Sequence, residues 1–114
     1  MDRRIHHIIT LMKHDLTREL TVEEMANLIN LSPTQFSRMF KAEVGVPPAR
    51  YLKQFRLETA KGLLTSSYLR VKEIMFKVGL KDESRFVRDF KTVYGVTPKQ
   101  YRMNNSLSNI NQPS

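Results

Sequence analysis

At 114 residues and 13.4 kDa the chain has room for one typical domain, or two very small ones sharing a core, and its 40% hydrophobic content suffices for a modest core. With no cysteine there is no disulfide framework and no thiolate metal site, and no apolar run approaches the roughly 18 residues of a membrane span. Nineteen Lys and Arg against eleven Asp and Glu leave a net charge of +8 and a pI near 10.1, which points to a polyanionic partner if the charge gathers on one face.

The basic start Met1-Asp2-Arg3-Arg4 leads into a helix rather than a signal peptide, so a soluble, intracellular protein is expected. Asp2 is a good N-cap, and Ile5, Ile8, Ile9, Met12 and Leu16 recur at helical spacing with one face for a core. His6, His7 and His14 punctuate this supporting helix. His7 and His14 share a face, but imidazoles two turns apart cannot share an ion and nothing at ligand spacing joins them. Solvated histidines are expected, with no metal and no cofactor.

Thr21-Val22-Glu23-Glu24 reads as a capping box opening a short helix whose apolar positions are Val22, Met25, Ala26, Leu28 and Ile29. Asn30 tolerates the left-handed conformation that ends such a helix. Ser32-Pro33-Thr34-Gln35 then combines an N-cap, a proline at the first helical position and a glutamine able to complete a second box. Two short helices so close together, with the small Ala26 letting them approach, make a helix-turn-helix over about 22–45.

Pro47-Pro48 launches the longest helix, about 48–64, with Leu52, Phe55, Leu57, Ala60, Leu63 and Leu64 as core candidates and Arg50, Lys53, Arg56 and Lys61 along it. It spans on the order of 25 Å and is long enough to hold two binding units apart. Gly62 weakens it near its end. After the polar joint Thr65-Ser66-Ser67, a fifth helix covers 71–78, poorly capped by Leu69-Arg70; Asp82 caps a sixth, and Thr97-Pro98-Lys99-Gln100 caps a short last one. The uncharged tail, 104–114, is expected to be disordered.

The chain repeats itself. Phe36, Arg38, Phe40, Lys41, Gly45, Val46, Pro48 and Tyr51 stand fifty positions before Phe86, Arg88, Phe90, Lys91, Gly95, Val96, Pro98 and Tyr101. Upstream the offset shortens by one, so that Val22, Glu24 and Leu31 answer to Val71, Glu73 and Leu80. One supersecondary unit is used twice, the second helix-turn-helix covering about 71–95.

On a helical wheel centred on Phe36, Thr34, Ser37, Arg38 and Lys41 gather away from the buried side. The sixth helix, centred on Phe86 and Phe90, offers Glu83, Ser84, Val87, Arg88 and Lys91 in the same sense. Such faces suit a major groove. Arg38 and Arg88 carry the fork for guanine O6 and N7 or for phosphate; Thr34, Ser37 and Ser84 serve either; Glu83 can accept from cytosine N4 and Val87 can touch a thymine methyl. Lys41 and Lys91, a turn further on, suit the phosphate backbone. The competing reading is a helical protein-protein interaction module whose basic faces dock an acidic partner.

The pattern Glu73-Ile74, Val78-Gly79, Asp82, Phe86, Arg88, Phe90-Lys91, Gly95, Thr97-Pro98 and Tyr101-Arg102 resembles the signature of the AraC/XylS family of bacterial transcription regulators. Arg56-Leu57, Ala60 and Leu63-Leu64 look like the end of that family's linking helix, and Ser37-Arg38, Phe40-Lys41 and Gly45 like its first recognition helix. The resemblance covers roughly 5–103 and constrains spacing as well as residue type.

It implies an all-α, seven-helix domain over 1–103, homeodomain-like in tandem, whose two helix-turn-helix units insert their second helices into successive major-groove segments of double-stranded DNA. Carried over by position, the contacting residues are Thr34, Ser37 and Arg38, and Glu83, Ser84, Val87 and Arg88. The site is expected to be asymmetric, with half-elements about one helical turn apart. Three positions depart from the pattern: Met75 stands where alanine is usual, Leu80 where an aromatic is usual, and Arg85 where tyrosine or histidine is common. The longer Met75 is expected to widen the crossing of the fifth and sixth helices, and Arg85 to compensate by contacting phosphate.

The resemblance further implies RNA polymerase as a partner, a place in the bacterial cytoplasm and at the nucleoid when DNA is bound, and commonly a second domain for effector binding or dimerisation. These 114 residues hold nothing that forms such an effector pocket. A DNA-binding fragment of a longer regulator is therefore expected, with a small stand-alone member as the alternative. No motif implies an enzyme, and the repair methyltransferases that carry a related domain need cysteines that this chain lacks.

Overall fold

A computed structural model of the chain describes residues 1–105. Among them lie seven helices and no strand: α1 (Arg3–His14), α2 (Val22–Leu28), α3 (Pro33–Val44), α4 (Pro48–Ser66), α5 (Val71–Lys77), α6 (Glu83–Tyr94) and α7 (Pro98–Asn105). The all-α expectation holds. The chain divides into two compact units, Met1–Phe55 and the residues from Arg56 onward, with the boundary inside α4.

Local chemistry sets where the helices begin and end. The Asp2 carboxylate accepts from the Arg4 N–H, and Ser32 with Gln35 forms a full capping box with Pro33 at the first turn. The Thr21 hydroxyl accepts from the Glu24 N–H at 3.1 Å, which is one half of the expected box. At α5 the Glu73 carboxylate accepts from the Arg70 N–H at 2.8 Å, while the Arg70 side chain, having only donors, makes no cap to the first-turn N–H groups. Asn30 sits at φ 57°, and Gly45 and Gly95 end α3 and α6 at φ 97° and 83°. α4 runs two residues past its expected end to Ser66, and the expected tail begins inside α7, with 106–114 outside the described residues.

In the first unit Ile5, Ile8 and Met12 from α1 meet Leu20, Met25, Ala26, Ile29, Phe36, Phe40 and Leu52 in one buried cluster. Each Ile, Leu, Met or Phe side chain among them contributes about 1.5–3 kcal/mol on burial. The Glu43 carboxylate of α3 accepts from the Asp2 N–H at 2.9 Å, tying the end of α3 to the start of α1, and Lys13 lies 5.2 Å from the Phe55 ring centre.

In the second unit Leu57, Ala60 and Leu64 are buried with Ile74, Met75, Val78, Phe86 and Phe90. Leu57, Ala60 and Leu64 have the spacing of Ile5, Ile8 and Met12. The repeat therefore starts one helix earlier than residue identity suggests: the C-terminal half of α4 serves the second unit as α1 serves the first. Met75 is 1% exposed, at the place Ala26 holds in the first unit, and α2 packs along α3 more extensively than α5 along α6.

Candidate nucleic-acid interface

The buried side of α3 is fixed by aromatic packing. Phe36 and Phe40 meet edge to face at 5.8 Å, and Phe40 meets Tyr51 of α4 in the same way at 5.6 Å. α6 repeats the arrangement, with Phe86 and Phe90 at 6.0 Å and Phe90 and Tyr101 at 5.8 Å, and adds Tyr94 against Phe90 at 4.6 Å. With two phenylalanines one turn apart held in the core, the opposite side of each helix must face out.

That side carries the residues singled out from the sequence. Thr34, Arg38 and Lys41 on α3 are exposed and Ser37 is half-buried; Glu83, Ser84, Arg85, Arg88 and Lys91 on α6 are exposed and Val87 is half-buried. From the first residue of each helix to the last, α3 and α6 share one sequence of exposed, half-buried and buried positions. Thr34, Ser37, Arg38 and Lys41 thus correspond to Ser84, Val87, Arg88 and Lys91. Each unit brings its own set onto one helical face.

Within these faces the chemistry differs at the helix starts. In α3 the Gln35 side chain is spent on the Ser32 N–H at 3.1 Å. In α6 the Asp82 carboxylate accepts from the Arg85 N–H at 3.0 Å, and the Arg85 side chain makes no hydrogen bond or ion pair among the described residues. α6 therefore presents Arg85, Arg88 and Lys91 as a stripe at intervals of three, where α3 presents Arg38 and Lys41. Glu83 sits in the first turn of α6, where a carboxylate is favoured by the helix dipole.

Two further cations of the second unit are engaged within the fold. Lys61 lies 4.6 Å over the Tyr94 ring, and burial pushes the Tyr94 hydroxyl above its usual range. Arg102 donates through Nε to the Leu64 carbonyl at 2.9 Å and through its second nitrogen to the Ser67 carbonyl at 3.3 Å. Neither contact is readable from sequence spacing, since the partners lie more than thirty residues apart. His6, His7 and His14 are exposed on α1, and among the described residues no group of three or more His, Cys, Asp or Glu is placed to hold a metal ion. No helix among the described residues is long and apolar enough to cross a membrane. A shallow groove beside α2 is lined by Glu23, Glu24, Asn27, Leu31 and Pro33 and is acidic.

A family model described as a helix-turn-helix domain matches residues 25–104. The chain is 34% identical over 96 residues to the uncharacterised HTH-type transcriptional regulator YtdP of Bacillus subtilis, covering 84% of this chain and 12% of that protein. It is 31% identical over 108 residues to the transposon Tn10 TetD protein of Escherichia coli, covering 90% of this chain and 78% of that protein. Among solved structures, the C-terminal domain of AraT, a response regulator from Geobacillus stearothermophilus, matches with 32% identity and a TM-score of 0.87, covering 99% of this chain and 94% of that one. The chain spans 12% of the length of YtdP and 34% of that of the gonococcal regulator MtrA.

Proposed function

We infer the function from one premise: the chain belongs to the AraC/XylS family of helix-turn-helix transcription regulators. It is a sequence-specific double-stranded DNA-binding domain, and α3 and α6 are its recognition helices. The observation that carries this is the matched pair of outward faces, each holding a forked arginine near the middle of its helix and a lysine one turn on. Thr34, Ser37 and Arg38 read one block of the site, and Glu83, Ser84, Val87 and Arg88 read the other. Lys41, Lys91 and Arg85 hold phosphate and set the register. Because Ser37 presents a hydroxyl at the position where its counterpart Val87 presents methyls, and because Glu83 and Arg85 have no charged equivalents on α3, the two blocks differ in sequence.

The interaction-module alternative accounts for neither the duplication of the face nor the family. The longer regulators of this type supply the setting: effector binding or dimerisation by a further domain, contact with RNA polymerase at the promoter, and action on DNA in the bacterial cytoplasm. The test is competition. Purified protein is expected to bind a duplex selected from a random library at least about 10³-fold more tightly than unselected duplex of equal length. Equal affinities would overturn the reading.

A further inference from the structure

We propose that Arg102 is a positioning residue of the second reading unit, an inference that rests on α6 being a recognition helix. The last turn of a helix leaves carbonyls without partners. At the end of α4 the Leu63 carbonyl is taken by the Ser67 hydroxyl at 2.7 Å and the Ser67 N–H at 3.1 Å, and the Gly62 carbonyl by the Thr65 hydroxyl at 3.2 Å. The Leu64 and Ser67 carbonyls are taken by Arg102, which arrives from α7 and bonds both with one guanidinium. The adjacent Tyr101 packs its ring edge to face on Phe90 of α6 at 5.8 Å. Two consecutive residues of α7 therefore grip two different elements, α6 through Tyr101 and the end of α4 through Arg102.

The first unit solves the same problem differently. Tyr51 there packs on Phe40 as Tyr101 packs on Phe90, and the next residue is Leu52, buried in the core. Tyr51 and Leu52 belong to the 19-residue α4, whereas Tyr101 and Arg102 belong to α7, described over Pro98–Asn105. α7 takes its place from its anchors, and Arg102 is the polar one. Half-buried, with Nε and one terminal nitrogen turned to two carbonyls, this guanidinium is engaged in the fold. It sets the angle at which α6 stands against the C-terminal half of α4, and so the depth at which the α6 face meets a groove.

The experiment selects duplexes from a random library with the full chain as wild type, Arg102→Leu and Arg102→Lys, with Arg38→Ala and Arg88→Ala identifying which block each helix reads; circular dichroism melts are recorded for every variant. Arg102→Leu is expected to remain folded, with the helical content of the wild type, to keep the α3 block, and to lose base preference in the α6 block by about tenfold or more. Arg102→Lys, which keeps the charge and loses the fork, is expected to fall between the two. Wild-type preference in both blocks for Arg102→Leu would overturn the positioning role, as would equal weakening of both blocks or loss of the α6 block only together with loss of helix. A wild-type chain that selects no motif would overturn the DNA-reading function itself, an outcome distinct from these.

Discussion

Ser32 and Gln35 lock each other: the Ser32 hydroxyl accepts the Gln35 N–H, the Gln35 oxygen accepts the Ser32 N–H, and both bonds measure 3.1 Å. Fifty positions on, Asp82 accepts from the Arg85 N–H at 3.0 Å, and arginine, having only donors, cannot return the bond. The same helix start is closed in α3 and open in α6.

Removing each side chain should therefore act on different quantities. Arg85→Ala is expected to leave stability within about 0.5 kcal/mol and to reduce the salt slope of DNA binding by about 0.9. Gln35→Ala is expected to leave the slope alone and to cost about 0.5–1 kcal/mol of stability through the broken box. Urea unfolding and salt titrations of the two variants separate these outcomes.

Two glycine-to-alanine exchanges should have opposite signs. Gly62 lies in the interior of α4 and a Cβ there would meet nothing within 4 Å, so Gly62→Ala is expected to stabilise by about 0.5–1 kcal/mol. At Gly45 the space is equally open but φ is +97°, so Gly45→Ala is expected to destabilise by about 1–2 kcal/mol. Thermal melts of the two variants give the comparison.

Phe90 touches Phe86, Tyr94 and Tyr101 and is fully buried. Phe90→Ala is expected to cost about 3–5 kcal/mol, measured by urea unfolding, and to remove the α6 block from a selected DNA motif while the α3 block survives.

At Asp2 the Arg4 side chain, and then the Arg4 N–H, hold the carboxyl down from 3.8 to about 2. A carboxyl depressed in the folded state contributes stability that is fully present above its unfolded value and is lost as pH falls through its folded one. Asparagine caps a helix nearly as well as aspartate, so Asp2→Asn isolates the charge. The variant is expected to melt below wild type at pH 5 to 7, with the gap closing between about pH 4 and pH 2. A gap unchanged at pH 2 would contradict the assignment.

Much of this was legible in the chain because its signals are local. Asp2, Ser32-Pro33, Asp82 and Thr97-Pro98 cap the helices expected of them, and Asn30, Gly45 and Gly95 take the left-handed conformation. The outward faces followed from the periods of Phe36-Phe40 and Phe86-Phe90. What escaped was long-range or carried by spacing without identity. Ile5, Ile8 and Met12 share no residue type with Leu57, Ala60 and Leu64, so the upstream extension of the repeat was hidden until burial revealed it. Arg102 with Leu64 and Ser67, and Lys61 with Tyr94, are pairings that the chain makes only when folded. The box at Thr21 closed on one side only: the Thr21 hydroxyl accepts from the Glu24 N–H, and nothing in the structure explains why the Glu24 carboxylate does not return the bond.

The phosphate contribution has its own signature. With about 6 to 10 phosphate contacts, affinity is expected to fall by about 10³ or more between 50 and 200 mM salt, and a flat response would contradict a DNA-binding role for the cationic stripes.

The central claim, that α3 and α6 each read one block of a single site, is tested most directly by selection from a random duplex library of about 30 base pairs with wild type, Arg38→Ala and Arg88→Ala side by side. The expected result is an asymmetric two-block motif in which each variant relaxes a different block. A motif of one block untouched by Arg88→Ala, or two variants that relax the same block, would contradict it.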